Sequence, residues 1–217
     1  MSPTAKPPVL DLDSPNRIYR SILTFVDQLS AFVQSLPQTV TTSKGVEDPF
    51  TWPSKVSPSS TVGKHLRHIL DHIRLLFETC PYLEGDGDGK KGLEGRKTER
   101  EWVVEYDKRI RDPAIETNRT TALTSIQKLK HAILHVQDLN LPSSTPLTTR
   151  FTLTPEEGDI SLSSTLGREA WFVAHHGIHH EALMRAICLE LQVPVKGDFG
   201  VAPATVKHHM EHMQEQG

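Results

Sequence analysis

Four histidines fall within six residues in Ala174-His175-His176-Gly177-Ile178-His179-His180-Glu181, inside a stretch of strong helical character. Histidines four apart on a helix lie one above the other, about 6 Å along the axis, so one pair of imidazoles can reach one metal ion. A further ligand must then come from elsewhere. Val62-Gly63-Lys64-His65-Leu66-Arg67-His68-Ile69-Leu70-Asp71-His72 supplies candidates, and seven of the twelve histidines lie in these two segments. The motif HExxH is absent, so the pair is not that of a zincin-type protease.

Register selects among these histidines. In the later segment Leu166, Val173, His176, His180, Leu183 and Ile187 follow one 3–4–7 stripe, whereas Arg168, Phe172, His175, His179, Ala182 and Glu190 mark a wetter face. His176 and His180 are therefore expected to point inward, with His175 and His179 beside them. In the earlier segment His65, His68 and His72 share a band, and His68 sits at its centre. Three inward imidazoles from two helices leave coordination positions open, which is the catalytic arrangement, since a structural zinc site closes with four protein ligands. Inward histidines satisfied by backbone carbonyls are the plain alternative.

The elements that must carry these residues are legible from periodicity. Residues 1–12 are Pro-rich and read as a loosely ordered arm. Asp13-Ser14-Pro15 starts a first helix with Ile18, Ile22, Val26, Leu29, Val33 and Leu36 on one face. Residues 37–58 hold four prolines and read as a long loop. A second helix, opened by Ser59-Ser60-Thr61, carries Val62, Leu66, Ile69, Ile73 and Leu76 as far as Pro81. Residues 84–97 are a hydrophilic, low-complexity insert. Its Asp-x-Asp-Gly content lacks the closing glutamate of a calcium loop, so it reads as a flexible loop. A third helix is expected from Asn118 to Leu139, a small β-hairpin between 148 and 162, and a fourth helix from Ser163-Ser164 to about Gln192. Four long helices with one hairpin predict an all-α four-helix bundle over 13–205, followed by a His-rich tail at 206–217 containing His208, His209 and His212.

Composition excludes several classes. The chain has 217 residues, a formal charge of −3 and 36% hydrophobic residues. That charge gives no case for nucleic acid or an anionic membrane as partner. No apolar run approaches the roughly 20 residues of a membrane span, and Met1–Pro8 lacks the core of a signal peptide. Cys80 and Cys188 form no CxxC and read as reduced thiols, in a cytoplasmic or nuclear setting, although sequence leaves a disulfide between them open.

Ser60-Thr61-Val62-Gly63-Lys64-His65-Leu66-Arg67-His68-Ile69-Leu70-Asp71 and His175-His176-Gly177-Ile178-His179-His180 together resemble the DinB/YfiT-like superfamily of metal-dependent four-helix proteins. Glu105-Tyr106-Asp107-Lys108-Arg109 and Asp198-Phe199-Gly200-Val201-Ala202-Pro203 resemble segments of an uncharacterised subgroup of it. The chain departs from the pattern by its insert at 84–97, its loop at 37–58 and histidine at 175, where asparagine is usual. The resemblance implies one divalent ion (zinc, nickel, manganese or iron) on His68, His176 and His180. It also implies pairing as a homodimer and a small-molecule substrate, most often in thiol-dependent transfer with a small thiol cosubstrate. Metal-assisted hydrolysis is the alternative, and a non-catalytic metal-binding or scaffold protein is the second.

For those chemistries His72 and Asp107 are candidate bases or ligand-orienting groups, and Arg67, Arg109 and Arg111 could hold an acidic substrate. A solvated charged loop is the plain reading of Tyr106–Asp112. Glu181 is expected at the surface, Trp102 and Trp171 in the core.

Overall fold

The computed structural model describes residues 15–82, 101–108 and 112–215. The expected arm at 1–12, the insert at 84–97, Arg109 and Arg111 lie outside the described residues. Among the described residues six helices and five strands follow in the order α1 (Pro15–Ser35), β1 (Val40–Thr42), β2 (Gly45–Glu47), α2 (Val62–Glu78), β3 (Val103–Glu105), α3 (Pro113–Thr117), α4 (Arg119–Asp138), β4 (Pro146–Thr152), β5 (Asp159–Thr165), α5 (Leu166–Glu190) and α6 (Pro203–Glu215).

Apolar periodicity explains the long helices. Ile22, Val26, Leu29 and Val33 of α1 and Leu36 just after it are buried, as are Val62, Leu66, Ile69, Ile73 and Leu76 of α2 and Ala122, Ile126, Leu129, Ile133 and Val136 of α4. Side-chain caps set their starts. Thr61 accepts from the Lys64 amide, Asn118 from the Thr121 amide and Thr165 from the Arg168 amide. α2 lies against α5 and α4, and α1 against α4 and α5, around one apolar core.

The all-α expectation is corrected, because the described residues contain two sheets and are mixed α/β. β4 and β5 pair antiparallel, Thr149 opposite Leu162, and β3 joins β4 in parallel, Val104 opposite Thr149. The sheet order is β3-β4-β5. The segment read as a long loop at 37–58 contains the antiparallel β1–β2 hairpin, turned at Gly45 with φ +126°. β1, β2 and β3 have three residues each, too few for alternation to register. β3 also depends on a partner more than forty residues away. The segment at 113–117, just beyond the stretch read as a charged loop and assigned no element from sequence, forms α3 on an Asp112 cap with Pro113 in its first turn.

Candidate metal centre

α2 and α5 bring the histidines together. His68 on α2 and His176 and His180 on α5 each present a ring nitrogen, all within 4.8 Å of one another, and each residue is half-buried. His68 Nε2 stands 2.9 Å from His176 Nε2. The close approach of α5 to the core depends on Gly177, between the two ligand histidines: a Cβ there would lie 2.4 Å from Phe25 Cζ of α1. A glycine at this place lets α1 pack directly on α5 while its neighbours face α2.

A surrounding layer orients these rings. His65, buried, bridges Ser60 Oγ through Nε2 at 2.8 Å and His180 Nδ1 through Nδ1 at 2.9 Å. One tautomer chain satisfies all of these groups. The His180 Nδ1–H donates to His65 Nδ1, and the His65 Nε2–H donates to Ser60, which leaves His180 Nε2 as a lone pair. His72 donates from Nδ1 to the His68 carbonyl at 3.0 Å, and its ring lies 4.5 Å from that of His176. Tyr106 stacks on His72 at 5.4 Å and donates its hydroxyl to Glu169 Oε2 at 2.8 Å. Glu169 is fully buried yet also accepts from Ser164 and Arg168. It thereby fixes the aromatic wall of Tyr106 and Phe172 beside the cluster.

The electrostatics suit a cation-binding donor set. Desolvation, reinforced by the charges of His72, His179 and His175, holds His176 down at about 4. Burial and the charges of His68, His176, His65 and His179 lower His180 further, to about 2. Both imidazoles are thus neutral around pH 7, the form that ligates metal. Each neutral imidazole carries one N–H and one lone pair, and with N–H groups spent on Ser60 and on the His68 carbonyl, lone pairs in the cluster are left that a cation meets together. Metal–nitrogen bonds of about 2.0–2.1 Å in a tetrahedral site separate the nitrogens by about 3.3 Å, so the His68–His176 pair would open by about half an ångström. Rotation of two half-buried rings can supply that.

Other predicted residues are placed elsewhere. Arg67 pairs with Glu116 Oε1 of α3 and with Asp71 Oδ2 one turn further along α2, both at 2.5 Å. Asp107 is exposed beyond β3 and accepts from the Thr152 amide, on the hairpin and not among the histidines. His175 and His179 are exposed, and His175 stacks on Trp171 at 5.0 Å. Trp171 is exposed, against the expectation of a core residue, whereas Trp102 is buried. Glu181, expected at the surface, is 2% exposed. Cys80 and Cys188 are separate buried thiols, and burial pushes Cys188 up to about 12. Sequence reasoning missed Glu169 and the bridging role of His65. A glutamate four residues after a capping threonine gave no signal of burial.

Comparison with known proteins gives a different direction from the resemblance above. No family model matches the chain, and no solved structure matches it. The chain is similar to FK506-binding protein 5 of Rhizopus delemar, 36% identical over 107 residues. Those residues are 49% of this chain and 27% of the relative, so the chain spans about a quarter of that protein's length. The DinB/YfiT-like resemblance is therefore corrected: the curated similarity is to an FK506-binding protein. The thiol transferase falls with it, since the resemblance was what favoured that reaction, and the relative's name supports neither the metal-dependent hydrolase nor the scaffold protein.

Proposed function

We propose that His68, His176 and His180 hold one divalent transition-metal ion, of the zinc, nickel, manganese or iron type, and that this centre is where the chain binds its ligand. The observation carrying this reading is the convergence of three ring nitrogens from two helices within 4.8 Å. A bound divalent ion would supply Lewis acidity to a group filling its open position. The protein's own part is orientation. His65 and Ser60 hold the His180 ring, the His68 carbonyl holds His72, and Glu169 anchors Tyr106 as the wall against which a ligand would rest. No reaction class is assigned to the centre. Calorimetric titration of the metal-stripped full chain with zinc, nickel and manganese tests it. One equivalent bound by the native chain and by His208→Ala, but none by His176→Ala, supports the reading. Equal binding by both variants refutes it.

A second reading rests on the similarity to FK506-binding protein 5 over half of this chain. It is that the chain shares FK506 binding with that relative. Saturable quenching of Trp171 or Trp102 fluorescence by FK506 supports it, and no response at micromolar ligand sets it aside.

A further inference from the structure

α6 carries a second pair of histidines at metal-binding spacing, His208 and His212, in Lys207-His208-His209-Met210-Glu211-His212-Met213. Residues four apart on a helix stand one above the other. Here the two rings meet edge to face, with their centres 4.2 Å apart. Two imidazoles bound at right angles to one ion, through bonds of about 2.0 Å, have ring centres about 4.5 Å apart. The pair therefore stands close to a chelating arrangement. His209 lies on the neighbouring face, its ring 6.3 Å from that of His208.

The helix that carries the pair is weakly held. Of residues 203–213 only Val206 is half-buried, and the others are exposed. A helix of 13 residues is marginal in water when so little of it packs. The exposed Lys207–Glu211 pair, at 3.6 Å, adds little. An ion shared by His208 and His212 would tie two successive turns together. It binds best when those turns are helical, so its binding free energy favours the helix. Val206 and Met210 also line a cleft of about 730 Å³ against Phe25 and Ile178, so an ion that holds α6 holds that wall as well.

The donor set narrows the ion. Among the described residues α6 joins no group of three ligands, so the pair leaves the other coordination positions to water. Copper(II) heads the affinity order of the first-row divalent ions and takes nitrogen and oxygen donors in a square plane. Zinc, nickel and manganese hold such a pair more weakly, and the centre on α2 and α5, with one ligand more, outcompetes it for them. We propose that His208 and His212 form a copper(II) site on the protein surface, whose ion staples α6 in its helical form. The site is separate from the three-histidine centre and does not depend on it.

Calorimetric titration of the full chain with copper(II) tests the site. Copper also enters the three-histidine centre, so the site is located by the difference between chains. The native chain should bind one equivalent more than His208→Ala or His212→Ala, and as much as His209→Ala. Failure of the centre would lower all the totals alike and leave that difference standing. Trypsin cleavage after Lys207 reads the staple, since a protease cuts a helix only once it opens locally. Copper at about ten times its dissociation constant should slow release of residues 208–217 about tenfold in the native chain, and leave His212→Ala unchanged. All three histidines are exposed, so these substitutions do not touch the core. Equal copper stoichiometry in the native chain and His212→Ala overturns the site, and loss of the extra equivalent in His209→Ala overturns the pairing. Unchanged cleavage with the site filled overturns the staple.

Discussion

At the scale of single residues, the cluster distinguishes ligands from their supports. His65→Ala leaves all three ligand nitrogens in place but removes the acceptor that holds the His180 Nδ1–H and the bridge to Ser60. Loss of such an orienting partner typically costs about 10–100-fold in metal affinity. The expected outcome for His65→Ala is therefore weakened but stoichiometric binding, whereas His176→Ala binds none. Calorimetry on the two variants checks it, and equal loss in both would make His65 a ligand. His72 belongs with the supports on this geometry, since its Nδ1 is committed to the His68 carbonyl. Register in the sequence was enough to point His176 and His180 inward and His68 across from them. It could not place Glu181. That residue follows Gly177 by four positions on the stripe buried against α1, so its neighbour's role said nothing of its own burial.

At the scale of elements, α2 shows two faces with different duties. One presents His68 and His72 to α5, and the other presents Arg67 and Asp71 to α3. Asp71 is buried, and desolvation raises its proton affinity against the pull of Arg67 and Arg74. Removing Arg67 leaves that carboxylate its ion pair with Arg74, at 3.1 Å. Arg67→Ala is expected to cost about 3 kcal/mol of stability, the scale of a broken buried pair, with metal affinity unchanged. Denaturant unfolding beside metal titration reads both quantities. Gly177→Ala tests the α1–α5 approach. Overpacking against Phe25 should destabilise by about 1–3 kcal/mol, more than the gain of about 1 kcal/mol in helix propensity. Coupling to Phe25→Leu in a double-mutant cycle identifies Phe25 as the cause. The long helices were legible because their apolar stripes repeat over four or more turns. The three-residue strands were not, because pairing across the chain creates them and local pattern does not. The hairpin at β4–β5, with seven residues in each strand, lies where alternation could be seen.

At the scale of the whole molecule, no helix among the described residues is long and apolar enough to cross a membrane. The net charge of −3 gives no long-range attraction to anionic partners. Stability should depend on pH through the histidines. The folded chain holds His176 at about 4, and His65 and His180 are lowered as well, all primarily by desolvation. Unfolded imidazoles bind protons near pH 6.5. A depressed folded value means that stability is fully present above about pH 6.5 and is lost as pH falls toward 4, because the unfolded chain takes up protons that the folded chain refuses. The metal-free protein should therefore melt at lower temperature at pH 5 than at pH 7. His176→Gln, which removes one of these groups, should flatten that slope in scanning calorimetry. α6 carries His208, His209 and His212, with the rings of His208 and His212 4.2 Å apart, on an exposed helix. Weak metal binding there would be separable from the centre by truncation after Ala204.

The most direct measurement is X-ray absorption at the metal edge on the full chain loaded with one equivalent of zinc. Three imidazole nitrogens at about 2.0–2.1 Å, falling to two in His68→Ala, are the expected result. A spectrum with sulfur or mostly carboxylate ligation, or one that His68→Ala leaves unchanged, would contradict the three-histidine centre.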